Sequence, residues 1–134
     1  MGSGKTHVYL IGGGDFKKQN LASFKECRKL TQQGQSYSFE AKANMLYPRH
    51  GHSACAVGET QIVVTGGRHG AGNECELFER SKNQWRELPK LLRRRHYHSS
   101  CAFEGRSIFV FCGIDNDTRG YINKIERLQL NEGL

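Results

Sequence analysis

A repeat constrains this chain more than any other feature. Arg49-His50-Gly51-His52-Ser53-Ala54-Cys55 and Arg95-His96-Tyr97-His98-Ser99-Ser100-Cys101 share Arg, His, His, Ser and Cys at one offset, 95 − 49 = 46. Behind each lies an apolar run that stops at glycine. The first is Ile62-Val63-Val64-Thr65-Gly66-Gly67 and the second Ile108-Phe109-Val110-Phe111-Cys112-Gly113, again with 113 − 67 = 46. β-Branched and aromatic runs with glycine punctuation at this period predict an all-β repeat array. Each unit of such an array buries its apolar face only against a neighbour.

The most complete unit predicts four strands joined by tight turns. His52 to Val57 is followed by a turn at Gly58-Glu59-Thr60, and Gln61 to Thr65 by Gly66-Gly67. Glu74 to Glu79 turns at Ser81-Lys82-Asn83 into Gln84 to Leu88, and Pro89 closes the unit. This is an antiparallel meander. The next unit repeats it with His98 to Phe103, Ser107 to Phe111 and a strand within Tyr121 to Leu130, where Ile122 and Leu128 are the expected anchors. Earlier in the chain, His7 to Ile11 ends in Gly12-Gly13-Gly14, and Phe24 to Leu30 and Ser36 to Glu40 follow as strands. Phe39 stands ten residues before Arg49 as Trp85 stands ten before Arg95, so both are expected as packing anchors between sheets. The continuous runs at 61–65 and 107–111 are expected to be buried on both faces.

Those residues resemble the kelch repeat. The carriers are a strand ending in Gly-Gly (Gly12-Gly13, Gly66-Gly67), a Glu-rich third strand with Phe78, Trp85 seven residues on, and the Pro48-Arg49-x-x-His52 step into small residues. The pattern departs from the family at Cys112, which stands in the first Gly position before Gly113, and at Leu30 and Leu128, where the family usually has Tyr. The resemblance implies four-stranded antiparallel blades of a β-propeller, here incomplete. Blade 1 spans 7–47 and lacks its innermost strand, blade 2 spans 48–93 and is complete, and blade 3 spans 94–134 and lacks its outermost strand. At 46 residues per unit the chain holds about three units, fewer than a closed propeller needs. A longer protein, or other chains in an assembly, is therefore expected to supply the rest.

Composition narrows the function. The net charge is +7 and the pI about 9.3, which favours acidic partners. Five cysteines cannot all pair within one chain, and no secretory leader or apolar run of membrane-spanning length is present in the sequence, so a reducing, cytoplasmic setting is expected. The start Met1-Gly2-Ser3-Gly4-Lys5-Thr6 formally fits a myristoylation pattern but is short enough to arise by chance.

Candidate chemistry is thin. His50-x-His52-x-x-Cys55 and its copy at 96–101 offer metal-type ligands, yet Cys55 lies an odd number of positions from both histidines, on the opposite face of a strand. Gly12-Gly13-Gly14 lacks the spacing of a dinucleotide loop, and Gly4-Lys5-Thr6 lacks the preceding glycine of a phosphate loop. Asp115 and Asp117 read as turn residues. No catalytic set, metal site or cofactor is expected.

The resemblance implies a non-enzymatic interaction or scaffold module that binds a protein partner through loops on one face. An alternative is the substrate-recognition part of a kelch-type ubiquitin-ligase adaptor. Loops after the second and fourth strands emerge on the same side, which places Asp15, Phe16, Lys17, Arg68, His69, Asp115, Asn116 and Arg119 there. The links between units add Arg49, His50, Arg94, Arg95, His96 and Tyr97. The same cations admit a second alternative, a basic nucleic-acid-binding module, with Arg93 to Arg95 beside Tyr97 as its densest patch.

Overall fold

The computed structural model describes residues 6–16 and 22–130, and every regular element among them is a β-strand. In chain order these are β1 (Tyr9–Ile11), β2 (Gly14–Asp15), β3 (Ala22–Ser23), β4 (Cys27–Gln33) and β5 (Ser36–Lys42). Next come β6 (Ser53–Val57), β7 (Gln61–Thr65), β8 (Cys75–Glu79) and β9 (Gln84–Leu88). The remainder are β10 (Arg95–His96), β11 (Ser99–Phe103), β12 (Ser107–Phe111), β13 (Ile114–Asp115) and β14 (Ile125–Gln129).

Strands β6-β7-β8-β9 form one antiparallel sheet in chain order, the meander that the turn residues call for. On either side lie three-stranded sheets, β1-β4-β5 and β11-β12-β14. The first corresponds to β7-β8-β9 and has no counterpart of β6 among the described residues. The third corresponds to β6-β7-β8 and has no counterpart of β9 among them. Two short ribbons, β2-β3 and β10-β13, flank the sheets. This is the incomplete, open arrangement of antiparallel blades that the resemblance implied.

Two apolar layers hold the three sheets together. Met45, Ile62, Val64 and Phe78 meet Tyr9, Ile11 and Trp85 between the first and second. Trp85 packs 4.9 Å from the Phe78 ring centroid and donates its indole N–H to Ala43 O at 2.8 Å. Between the second and third sheets, Val57, Val63, Cys75, Leu77 and Leu88 meet Ile108, Val110 and Leu128. Burying one such Val, Leu or Ile stabilises the fold by about 1.5–3 kcal/mol.

Two expectations need correction. Strand β7 is buried on both faces, but β12 alternates: Ile108 and Val110 are buried while Phe109 and Phe111 are half-buried. Phe109 and Phe111 lie on the side of their sheet that no other described sheet covers. Phe39 is no buried anchor either, being 51% exposed where Trp85 is half-buried. Its face, shared with Leu10, likewise has no sheet packed over it among the described residues.

Candidate protein-contact cleft

The links between sheets are built on the repeated arginines. Arg49 is fully buried, and its guanidinium donates to Gly66 O (2.7 Å), Glu74 O (2.9 Å) and Glu76 Oε2 (2.6 Å). The Glu76 carboxylate also accepts the amides of Leu46 (2.6 Å) and Tyr47 (3.2 Å). The next unit repeats the pattern. Arg95, also fully buried, donates to Cys112 O (2.9 Å), Lys124 O (3.1 Å) and Glu126 Oε2 (2.6 Å). Glu126 accepts the amides of Leu92 (2.5 Å) and Arg93 (3.2 Å). Arg49 and Arg95 therefore leave the predicted contact face, because every polar group they present is turned into the fold. A buried charge of this kind persists only when paired and hydrogen-bonded, as these are.

The second histidine of each copy is structural as well. His52 Nε2 lies 2.9 Å from Ile11 O, and His98 Nε2 lies 2.9 Å from Thr65 Oγ1. Burial, reinforced by Arg49 and Arg95 respectively, pushes both imidazoles down to about 4. No group of three His, Cys, Asp or Glu side chains able to hold a metal is found among the described residues.

The first histidine of each copy faces the other way. His50 and His96, both mostly buried, lie at the edge of the loop face. His50 stacks on His69 at 5.3 Å and meets Phe16 edge-on at 4.9 Å. His96 meets Tyr97 edge-on at 4.7 Å. The Tyr97 amide donates to Gly51 O at 2.7 Å, and the side chain is 61% exposed.

These elements enclose a cleft of about 600 Å³ lined by Arg68, His69, Gly70, Arg94, His96, Tyr97, Ile114, Asn116 and Arg119. Seven of the residues proposed from sequence for the loop face thus come together on one concave surface. Arg68 and Arg119 are exposed, and neither has an ion-pair partner among the described residues. Arg94 contacts Asp117 at 3.8 Å across open surface, which leaves its charge available. Asp115, between the cleft-lining Ile114 and Asn116, is itself buried and accepts the amides of Asp117 (2.8 Å) and Thr118 (3.1 Å). Those donors hold its carboxyl below the usual carboxylate range. Asp115 thus shapes the turn that presents Arg119 rather than reaching outward. Lys17 lies outside the described residues, as do Gly2, Gly4 and Lys5.

Sequence reasoning missed Ser23 and Glu126. Ser23 Oγ lies 2.7 Å from His50 Nδ1 and 3.2 Å from Arg68 O, joining the first sheet's ribbon to the second sheet's loop. Glu126 could have been found from Glu76, since both sit on the third strand of their sheets; the longer loop before β14 shifts the spacing to 126 − 76 = 50.

A Kelch motif model matches residues 48–92. Host cell factor 2 of Homo sapiens is 34% identical over 91 residues, which cover 64% of this chain and 11% of that protein. Kelch-like protein 21 of Danio rerio is 38% identical over 69 residues, covering 48% of this chain and 11% of that protein. The chain thus spans about a tenth of the length of these relatives.

Proposed function

We propose that this chain, which belongs to the kelch-repeat proteins, is a non-enzymatic interaction module that takes an acidic segment of a protein partner into the cleft between its second and third blades. One observation carries the reading. Arg68, His69, Arg94, His96 and Arg119 converge on a single concavity, and the carboxylates nearest them are committed to a turn or to a surface ion pair. Exposed guanidinium groups favour planar acidic groups because they offer paired donors in a fixed fork. The net charge of +7 would steer such a partner toward the chain.

We divide the chain into blades at 7–47, 48–93 and 94–134 and take it to act within a longer protein or a larger assembly. Free thiols at all five cysteines suit a cytoplasmic setting. No helix among the described residues is long and apolar enough to cross a membrane.

A fluorescein-labelled tetraglutamate peptide, followed by anisotropy, tests the reading. Arg68→Glu with Arg119→Glu should weaken binding roughly tenfold or more while the unfolding midpoint holds. Equal affinity in the folded double variant removes the cleft from the proposal. Tighter binding of a single-stranded oligonucleotide, with a steep salt dependence, would favour the nucleic-acid reading instead.

A further inference from the structure

His50 and His96 occupy the same repeat position, and unrelated partners hold their rings in the same way. Asn116 donates Nδ2–H to Gly67 O at 2.9 Å, and a carbonyl oxygen can only accept. Its Oδ1 is therefore the atom 2.6 Å from His96 Nδ1, and that nitrogen must carry the proton. Ser23 works by the same logic. Its hydroxyl donates to Arg68 O, so the oxygen accepts from His50 Nδ1–H. In both rings Nε2 has no hydrogen-bond partner among the described residues and is not among the buried unpaired atoms. His96 lines the cleft, so its Nε2 opens there. With the proton held on Nδ1, a neutral His96 offers a lone pair at Nε2, which repels a carboxylate or phosphoryl oxygen. Only the protonated ring donates to one.

We infer that the cleft takes its acidic ligand together with a proton on His96 Nε2, so that binding tightens as pH falls. This rests on the cleft being the contact site. The ionisable groups that line the cleft fit the inference, and the neighbouring Arg95 is already paired with Glu126. Arg68 and His69 follow β7, Arg94 lies in the link, and Arg119 lies on the loop after β13; none of them is an acid. The acids Asp115 and Asp117 face Arg93 and Arg94. His98 on the adjoining strand stays neutral in its hydrogen bond to Thr65. His50 is pushed below the usual histidine value first by burial, then by His69, Arg68 and His96. An anionic ligand pushes the other way, which makes ligand and proton cooperative.

The test uses the full chain. Ring nitrogen NMR should report Nδ1–H for His50 and His96, with no variant needed; Nε2–H at His96 overturns the inference. Affinity for the tetraglutamate peptide, whose carboxylates stay ionised across the range, should fall roughly tenfold between about pH 6 and about pH 8. In His96→Gln that slope should flatten. Equal affinity at both pH values overturns the proton linkage while leaving the cleft in place. No binding at any pH overturns the cleft itself.

Discussion

The carbonyl oxygen of Arg95 lies 2.6 Å from where a Cβ on Gly66 would stand. The backbone of one blade's link is seated directly on the glycine pair of the blade before it. Gly67 N–H donates to Arg95 O at 2.9 Å, and Gly13 N–H donates to Arg49 O at 2.9 Å in the preceding junction. Gly66 also has φ +62°, a conformation unfavourable to residues with a Cβ.

Gly66→Ala should therefore destabilise the chain well beyond the ~1–2 kcal/mol expected of left-handed backbone alone. Gly58→Ala, at φ +61° with open space around it, supplies the control and should cost about that smaller amount. Cys112 holds the same repeat position at φ +57°, so Cys112→Gly should stabilise by ~1 kcal/mol. Urea unfolding midpoints of the three variants give the comparison, and equal losses at Gly66 and Gly58 would show that the junction yields freely.

The buried pairs predict an ordered response. Glu76→Ala leaves the Arg49 guanidinium charged and buried and strips the acceptor from two link amides, so it should cost ~3–5 kcal/mol. Glu126→Ala should cost less, because its side chain is 13% exposed and water can reach the site. Exposed Arg119→Ala should leave the stability within ~0.5 kcal/mol of the parent.

Acid should unfold the chain through His52 and His98. Both are held near 4 in the fold against an ordinary value of 6.5, mainly by burial. Between those values the unfolded chain binds more protons than the folded one, so stability is complete above about 6.5 and falls as pH drops toward 4. The loss should reach ~3 kcal/mol for each histidine at the acid end. Circular dichroism along urea titrations from neutral to acid pH measures it. His98→Gln should shrink the pH dependence, and an unchanged dependence would mean that the imidazole reaches water.

The repeat made the architecture legible because strand, glycine pair and link recur at one offset, and each recurrence rules out local accidents. A meander sends alternate turns to one side, which is why seven of the loop residues named from sequence line one cleft. Arg49 and Arg95 could not be assigned in the same way. The repetition of the arginine already favours a strut over a contact, and Glu76 and Glu126, distant in sequence, supply the partners that make it one. The histidines were ambiguous for a related reason. Their spacing puts His50 and His52 on one face, whereas the chain leaves the regular strand before Ser53 and turns the His50 ring toward Ser23 and His69 and the His52 ring toward Ile11 O. Phe39 matched Trp85 in register, but burial depends on what lies across the sheet, which register does not encode.

The proposed binding of an acidic segment in the cleft between the second and third blades can be observed residue by residue. Amide and arginine side-chain NMR spectra recorded while the tetraglutamate peptide is added test it most directly. Shifts should saturate together at Arg68, His69, Arg94, Tyr97 and Arg119, with the Arg49 and Arg95 side chains unmoved. Shifts confined to the outer sheet faces around Leu10 or Phe109, or none at saturating peptide, would contradict it.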